Sequence, residues 1–112
     1  RQFTTDTAFQ RVILEKILNS ERKYIAGIQT YALSNDLRPS VQNIHCPVMA
    51  LCSLQTFGQA SIGEDILEQR ISSQFTNIND CKVFINRQTK HFIMLDAADW
   101  SLEHIQRAIS GK

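Results

Sequence analysis

The chain has 112 residues, 43% of them hydrophobic and 21% charged, with a formal net charge of +1. That length suits a single domain able to bury about two thirds of its unfolded surface. The near-neutral balance, with no basic stripe interleaved with aromatics, argues against a nucleic-acid partner, and apolar runs of five or six residues are too short to cross a bilayer.

No charged-then-apolar leader opens the chain, so a soluble protein without a membrane partner is expected. It begins at Arg1 and enters a helical pattern almost at once, as a processed product, an expressed domain or a fragment would. "TTDTAFQRVILEKILNS" predicts a helix capped by Thr5 or Asp6, with Phe9, Val12, Ile13, Ile17 and Leu18 at helical spacing. "SERKYIAGIQTYALSND" predicts a second, with Tyr24, Ile25, Ile28, Tyr31 and Ala32 on one face. Gly27 costs it about 1 kcal/mol relative to alanine. The short join at Asn19-Ser20 predicts that these helices fold against each other, making residues 1–34 a helical hairpin.

In "NDLRPSVQNIHCP", Asp36 can cap a short helix whose first turn tolerates Pro39, with Leu37, Val41 and Ile44 as its apolar face. Arg38 is placed to bridge to a carboxylate. "PVMALCS" is too short and too continuously apolar for a typical helix and predicts a strand buried on both faces, the habit of parallel sheets. "LQTFGQASIG" is a loop with Gly58 and Gly63 as flexible points, and "EDILEQRISSQF" an amphipathic helix carrying Ile66, Leu67, Ile71 and Phe75. "CKVFIN" predicts the second strand, "RQTKHFIML" a connection, and "DAADWSLEHIQRAIS" a closing helix led by Asp96 and Asp99. Trp100, Ile105 and Ile109 of that helix should face the core, with Ala108 beside them.

Residues 35–112 thus form a β-α-β-α portion of an α/β fold, in which a right-handed crossover joins two parallel strands. Two strands apolar on both faces do not make a stable sheet alone, and helices cover faces rather than edges. Further strands are therefore expected as partners, either from an upstream part or from self-association with a second copy.

Cys46, Cys52 and Cys81 form an odd set without C-x-x-C spacing, which points to reduced thiols in a cytoplasmic setting. His45, Cys46, Cys52, Cys81, His91 and His104 lack the usual ligand-pair spacings, so no metal site and no cofactor is expected. His91 is the candidate catalytic residue. It follows the second strand, at the carboxyl end where open α/β sheets place reacting groups, and histidine suits a general base near neutral pH. The bland alternative is a histidine satisfied by a backbone carbonyl.

"NDLRPSVQNIHCPVMALCS", a helix, and then "CKVFINRQTKHFIMLDAADWSLEHIQRAI" resemble the C-terminal part of the α/β-hydrolase fold, over Asn35 to Ile109. In that family a "DLR" segment leaves a helical cap and leads to an "I-x-x-P-V" start of the next-to-last strand. The last strand and the loop bearing the catalytic histidine follow. "KHFIMLDAADW" is the most specific piece, resembling "H-F-I-M-x-D-x-x-x-W" stretches of bacterial members. The resemblance implies a partial α/β-hydrolase-type fold with residues 1–34 as part of its cap. It also implies His91 as general base in the hydrolysis of an ester or similar carboxylic small-molecule substrate bound by the complete domain.

Two departures stand out. The G-x-S-x-G elbow is absent, so the nucleophile and oxyanion hole of such an enzyme would lie upstream of Arg1, and this segment alone would be inactive. Where the family places its acid, this chain has Gln55 and Thr56. Glu64 and Asp65 come next but read as first-turn residues of the following helix, and Asp36 as a cap, so the acid stays unassigned. The competing reading is a non-catalytic α/β interaction or binding module, a degenerate relative of the hydrolases.

Overall fold

A computed structural model describes residues 3–55 and 63–111. Thr56 and Gly58 lie outside the described residues. Among the described residues the fold is mixed α/β, with five α-helices and a two-stranded parallel sheet. No helix there is long and apolar enough to cross a membrane.

Helix α1 (Thr7–Leu18) begins where Asp6 Oδ1 accepts the Phe9 amide at 3.0 Å, an N-cap that satisfies one of the helix's free donors. Helix α2 (Arg22–Ser34) follows after a short join. Both helices form as their periodicity predicts, but the expectation that they fold against each other is corrected. They do not pack along their lengths, and neither contains a buried residue. Phe9, Val12, Ile17 and Leu18 of the first and Tyr24, Ile28 and Tyr31 of the second are exposed. A 3.6-residue apolar stripe specifies that a face seeks cover, not which element supplies it.

The short helix expected after Asp36 is instead a turn and a 3₁₀ turn at Val41–Asn43. Asp36 Oδ1 accepts the Arg38 amide at 3.0 Å, and both its oxygens accept from the Arg38 guanidinium at 2.8 and 2.7 Å. The two residues close the turn on each other, and the guanidinium holds the Asp36 carboxyl down at about 2.

Strand β1 (Val48–Ser53) pairs in parallel with β2 (Cys81–Asn86), Val48 opposite Cys81 and Ser53 opposite Asn86. Alternation along the strands puts Ala50, Cys52, Val83 and Ile85 on one face and Met49, Leu51, Lys82 and Phe84 on the other. Helix α3 (Glu64–Ser73) covers the first face. Its Leu67 and Ile71 form the core with Leu54, and Cys52, Phe75 and Ile85 pack against them. Helix α5 (Ala98–Ser110) covers the second, with His104 stacked between Phe84 (4.5 Å) and Trp100 (4.3 Å). The result is three layers, helix on sheet on helix.

The predicted burial of the strands on both faces is only half met, since every residue of β1 is half-buried. Each strand has one open edge, and a sheet two strands wide cannot be fully shielded by the helices above and below it. The same narrowness corrects the closing helix. Trp100 is half-buried, but Ile105 and Ala108 are exposed and Ile109 is 81% exposed, because a two-stranded sheet offers α5 too little surface to cover its whole apolar face. Asp96 does not lead the closing helix either. It ends a separate short helix α4 (Ile93–Asp96), while Asp99 lies in the first turn of α5. In α3, Ile66 is also exposed.

Leu54 is 1% exposed at the centre of the only described core cluster, whereas Leu33 on α2 is 89% exposed. Leu54→Ala should lower stability in urea unfolding by about 2–5 kcal/mol, and Leu33→Ala should change it by less than about 0.5 kcal/mol. The open strand edges predict self-association, seen as a mass that rises with concentration in light scattering; a strictly monomeric species at high concentration would overturn this.

Candidate functional site

Both strands end at the same side of the sheet, and short backbone links lace their ends together. The Leu54 amide donates to Asn86 O at 2.9 Å and the Gln55 amide to Thr89 O at 3.0 Å. Gln55 Nε2 donates to Arg87 O at 2.8 Å. Thr89 is 2% exposed, so the turn after β2 is seated in the structure while the residues beyond it emerge at the surface. His91 is among these, at the carboxyl end of a parallel strand and exposed.

The His91 ring meets two phenylalanines edge-on, Phe92 at 5.0 Å and 87° and Phe3 at 5.8 Å and 75°, and these two rings lie 6.4 Å from each other. Among the described residues neither ring nitrogen has a hydrogen-bond partner. The ring that satisfies itself on the backbone is His104, whose Nδ1 donates to Trp100 O at 2.8 Å. A carbonyl only accepts, so that bond fixes the tautomer of His104. His104 also lines a cavity of about 430 Å³ with Pro47, Met49, Asp80, Lys82 and Phe84, at the amino ends of the strands.

Asp96 braces the loop that carries His91. Its Oδ2 accepts the Lys90 amide at 3.0 Å, and its Oδ1 accepts the Thr5 amide at 2.8 Å and the Thr4 hydroxyl. Burial alone would raise the Asp96 carboxyl, but the bonds from Thr4, Lys90 and Thr5 outweigh it and hold the group below the usual carboxylate range. Thr4 is fully buried, and its carbonyl accepts Gln10 Nε2 at 2.6 Å. The Phe92 amide donates to Phe3 O at 2.9 Å.

The other candidate acids are engaged elsewhere. Glu64 and Asp65 do stand in the first turn of α3, and with Glu68 they surround Arg87 at 3.1, 3.0 and 2.6 Å. This pairing raises the Arg87 guanidinium further above its ordinary value, Glu68 contributing most. Gln55, just past the end of the first strand, is exposed and its side chain donates to Arg87 O. Several serines spend their hydroxyls on helix carbonyls: Ser20 on Lys16, Ser34 on Thr30 and Ser73 on Arg70. Among the described residues no carboxylate or serine hydroxyl is hydrogen-bonded to the exposed His91 ring.

Comparison with protein-family models, curated proteins and solved structures finds no match to this chain.

Cys46, Cys52 and Cys81 are free thiols, and burial, with Cys81 nearby, pushes the Cys52 thiol up. Among the described residues no three His, Cys, Asp or Glu side chains gather as metal ligands. Sequence reasoning missed Arg87 and the true place of Asp96. Glu64 and Glu68, four apart with Asp65 between them, were a signal for a cation at the strand end. Thr4 and Asp96 are 92 positions apart, and nothing local announced their pairing.

The Asp96 carboxyl titrates lower in the fold than unfolded. Its bonds therefore stabilise fully above about pH 4 and are lost as the pH falls through the folded-state value. Asp96→Ala should cost about 1–3 kcal/mol at neutral pH. Acid unfolding followed by circular dichroism should show a step in the wild-type chain that is diminished in the variant.

Proposed function

We propose that this chain is the C-terminal part of an α/β-hydrolase-fold serine hydrolase acting on esters or similar carboxylic small molecules, and that His91 is its general base. The reading is supported by one observation above the others. An exposed imidazole, its nitrogens without a hydrogen-bond partner among the described residues, stands at the carboxyl end of a parallel strand, on a loop braced from both sides. In acyl transfer such a base takes the proton of a nucleophilic hydroxyl as it attacks the carbonyl and returns it to the leaving group. The hydroxyl, the oxyanion donors and the orienting acid come from an upstream part whose strands would also pair with an open edge of the sheet. A non-catalytic binding module is the second reading, favoured by the lack of any carboxylate on the His91 ring among the described residues.

The 112-residue chain alone should show no esterase turnover. Joined to its upstream part it should hydrolyse a generic ester, and His91→Ala should lower kcat by at least about 10³-fold. Hydrolysis unchanged by His91→Ala would remove the catalytic role and leave the binding module.

A further inference from the structure

Resting on His91 as the base, we infer that Asp96 is a positioning residue. Through it, the segment Phe3–Thr5 ahead of α1 sets the direction of the His91 imidazole. The residues on either side of His91 are both held by this segment. On one side, the Lys90 amide donates to Asp96 Oδ2 at 3.0 Å, while the other oxygen of the same carboxylate holds Thr4 and Thr5. On the other side, the Phe92 amide donates to Phe3 O at 2.9 Å. The Phe3 ring then meets His91 edge-on at 5.8 Å, beside Phe92 at 5.0 Å, and the two phenylalanines meet each other at 6.4 Å.

With the backbone held before and after residue 91 and two contacting aromatic rings against the imidazole, the exposed side chain is restricted in its direction. The segment is itself tied to α1. Thr4 Oγ1 accepts the Asp6 amide at 3.2 Å, and Asp6 caps the helix. Gln10, one turn into α1, bonds back to Thr4 O at 2.6 Å. A displacement of α1 is therefore passed through Thr4 to Asp96 and from Asp96 to the base-bearing loop. The carboxylate is needed because it accepts on both oxygens from donors on two different segments. An asparagine offers one acceptor oxygen and would turn an N–H₂ toward the Lys90 amide or toward Thr4 and Thr5.

The test reads the ring directly. In the 112-residue chain with ¹³C-labelled histidine, the His91 Cε1–H resonance carries the ring currents of Phe3 and Phe92, and that of His104 carries those of Phe84 and Trp100. Asp96→Ala should move the His91 resonance to the position of an unstructured histidine and leave that of His104 in place. An unmoved His91 resonance would overturn the inference, whatever His91 does in catalysis. If both resonances collapse because the variant unfolds, Thr4→Val decides. It keeps the volume of Thr4 and removes only the hydroxyl that donates to Asp96. A displaced His91 with an unmoved His104 supports the coupling, and two unmoved resonances overturn it. In the chain joined to its upstream part, Asp96→Ala should lower kcat about 10- to 100-fold with KM within about twofold, and Asp96→Glu should recover part of the loss. Loss of activity in Asp96→Ala without any effect of His91→Ala would instead sink the catalytic reading while leaving the structural coupling to the resonance test.

Discussion

A single carboxylate, that of Asp96, gathers three segments of the chain that lie far apart in sequence or on different elements. It stands at the end of a four-residue helix, a length far too short to be stable by its own hydrogen bonds. Three donors converge on it, from Thr4, Thr5 and Lys90. They fix the end of α4, the approach to α1 and the turn that follows β2 in one place. The chain then turns directly into α5, the Ser101 amide donating to Ala97 O at 2.9 Å. The group remains charged because its partners repay the desolvation that burial imposes. A neutral side chain of the same shape would leave at least one of these backbone amides without its acceptor.

Around that node the fold is governed by width. The sheet is two strands across, and its faces are covered by α3 and α5 while its edges are not. The fully buried apolar residues accordingly collect beside the sheet, at Leu54, Leu67 and Ile71, and the strand residues stay half-buried. The exposed stripes of α1, α2 and α5 have the same origin. They carry the periodicity of covered faces in a structure with too few layers to cover them. The position of His91 follows from this arrangement too, since the laced strand ends give a firm platform from which its loop emerges.

What was legible in the residues was whatever depends on neighbours in the chain. "CKVFIN" is the second strand residue for residue, Asp6 caps the first helix, and Arg38 bridges to a carboxylate, that of Asp36 two residues before it. Each of these rests on contacts between residues close in sequence. What was not legible depends on residues brought together from afar. The stripe of α1 was readable as a stripe but not as uncovered, because cover is a property of other segments. Asp96 reads as a helix leader in "LDAADW", and only the arrival of Thr4 from the other end of the chain makes it the end of one helix instead. At the site, the placement of His91 beyond the strand was readable, whereas its phenylalanine collar needed Phe3. Glu64 and Asp65 were readable as first-turn acids but not as partners of Arg87.

Arg87 carries a consequence for how this chain can change. Its carbonyl receives Gln55, the last described residue before the crossover loop, and its guanidinium holds Glu64 and Asp65, just after that loop returns. One residue therefore fastens both the exit and the re-entry points. The spacing between those points is set by the frame and not by what lies between them. With both points anchored to Arg87, the end of β1 and the start of α3 keep their places relative to the end of β2. A change at this exposed position would therefore loosen two segments at once, which makes it less replaceable than its exposure suggests.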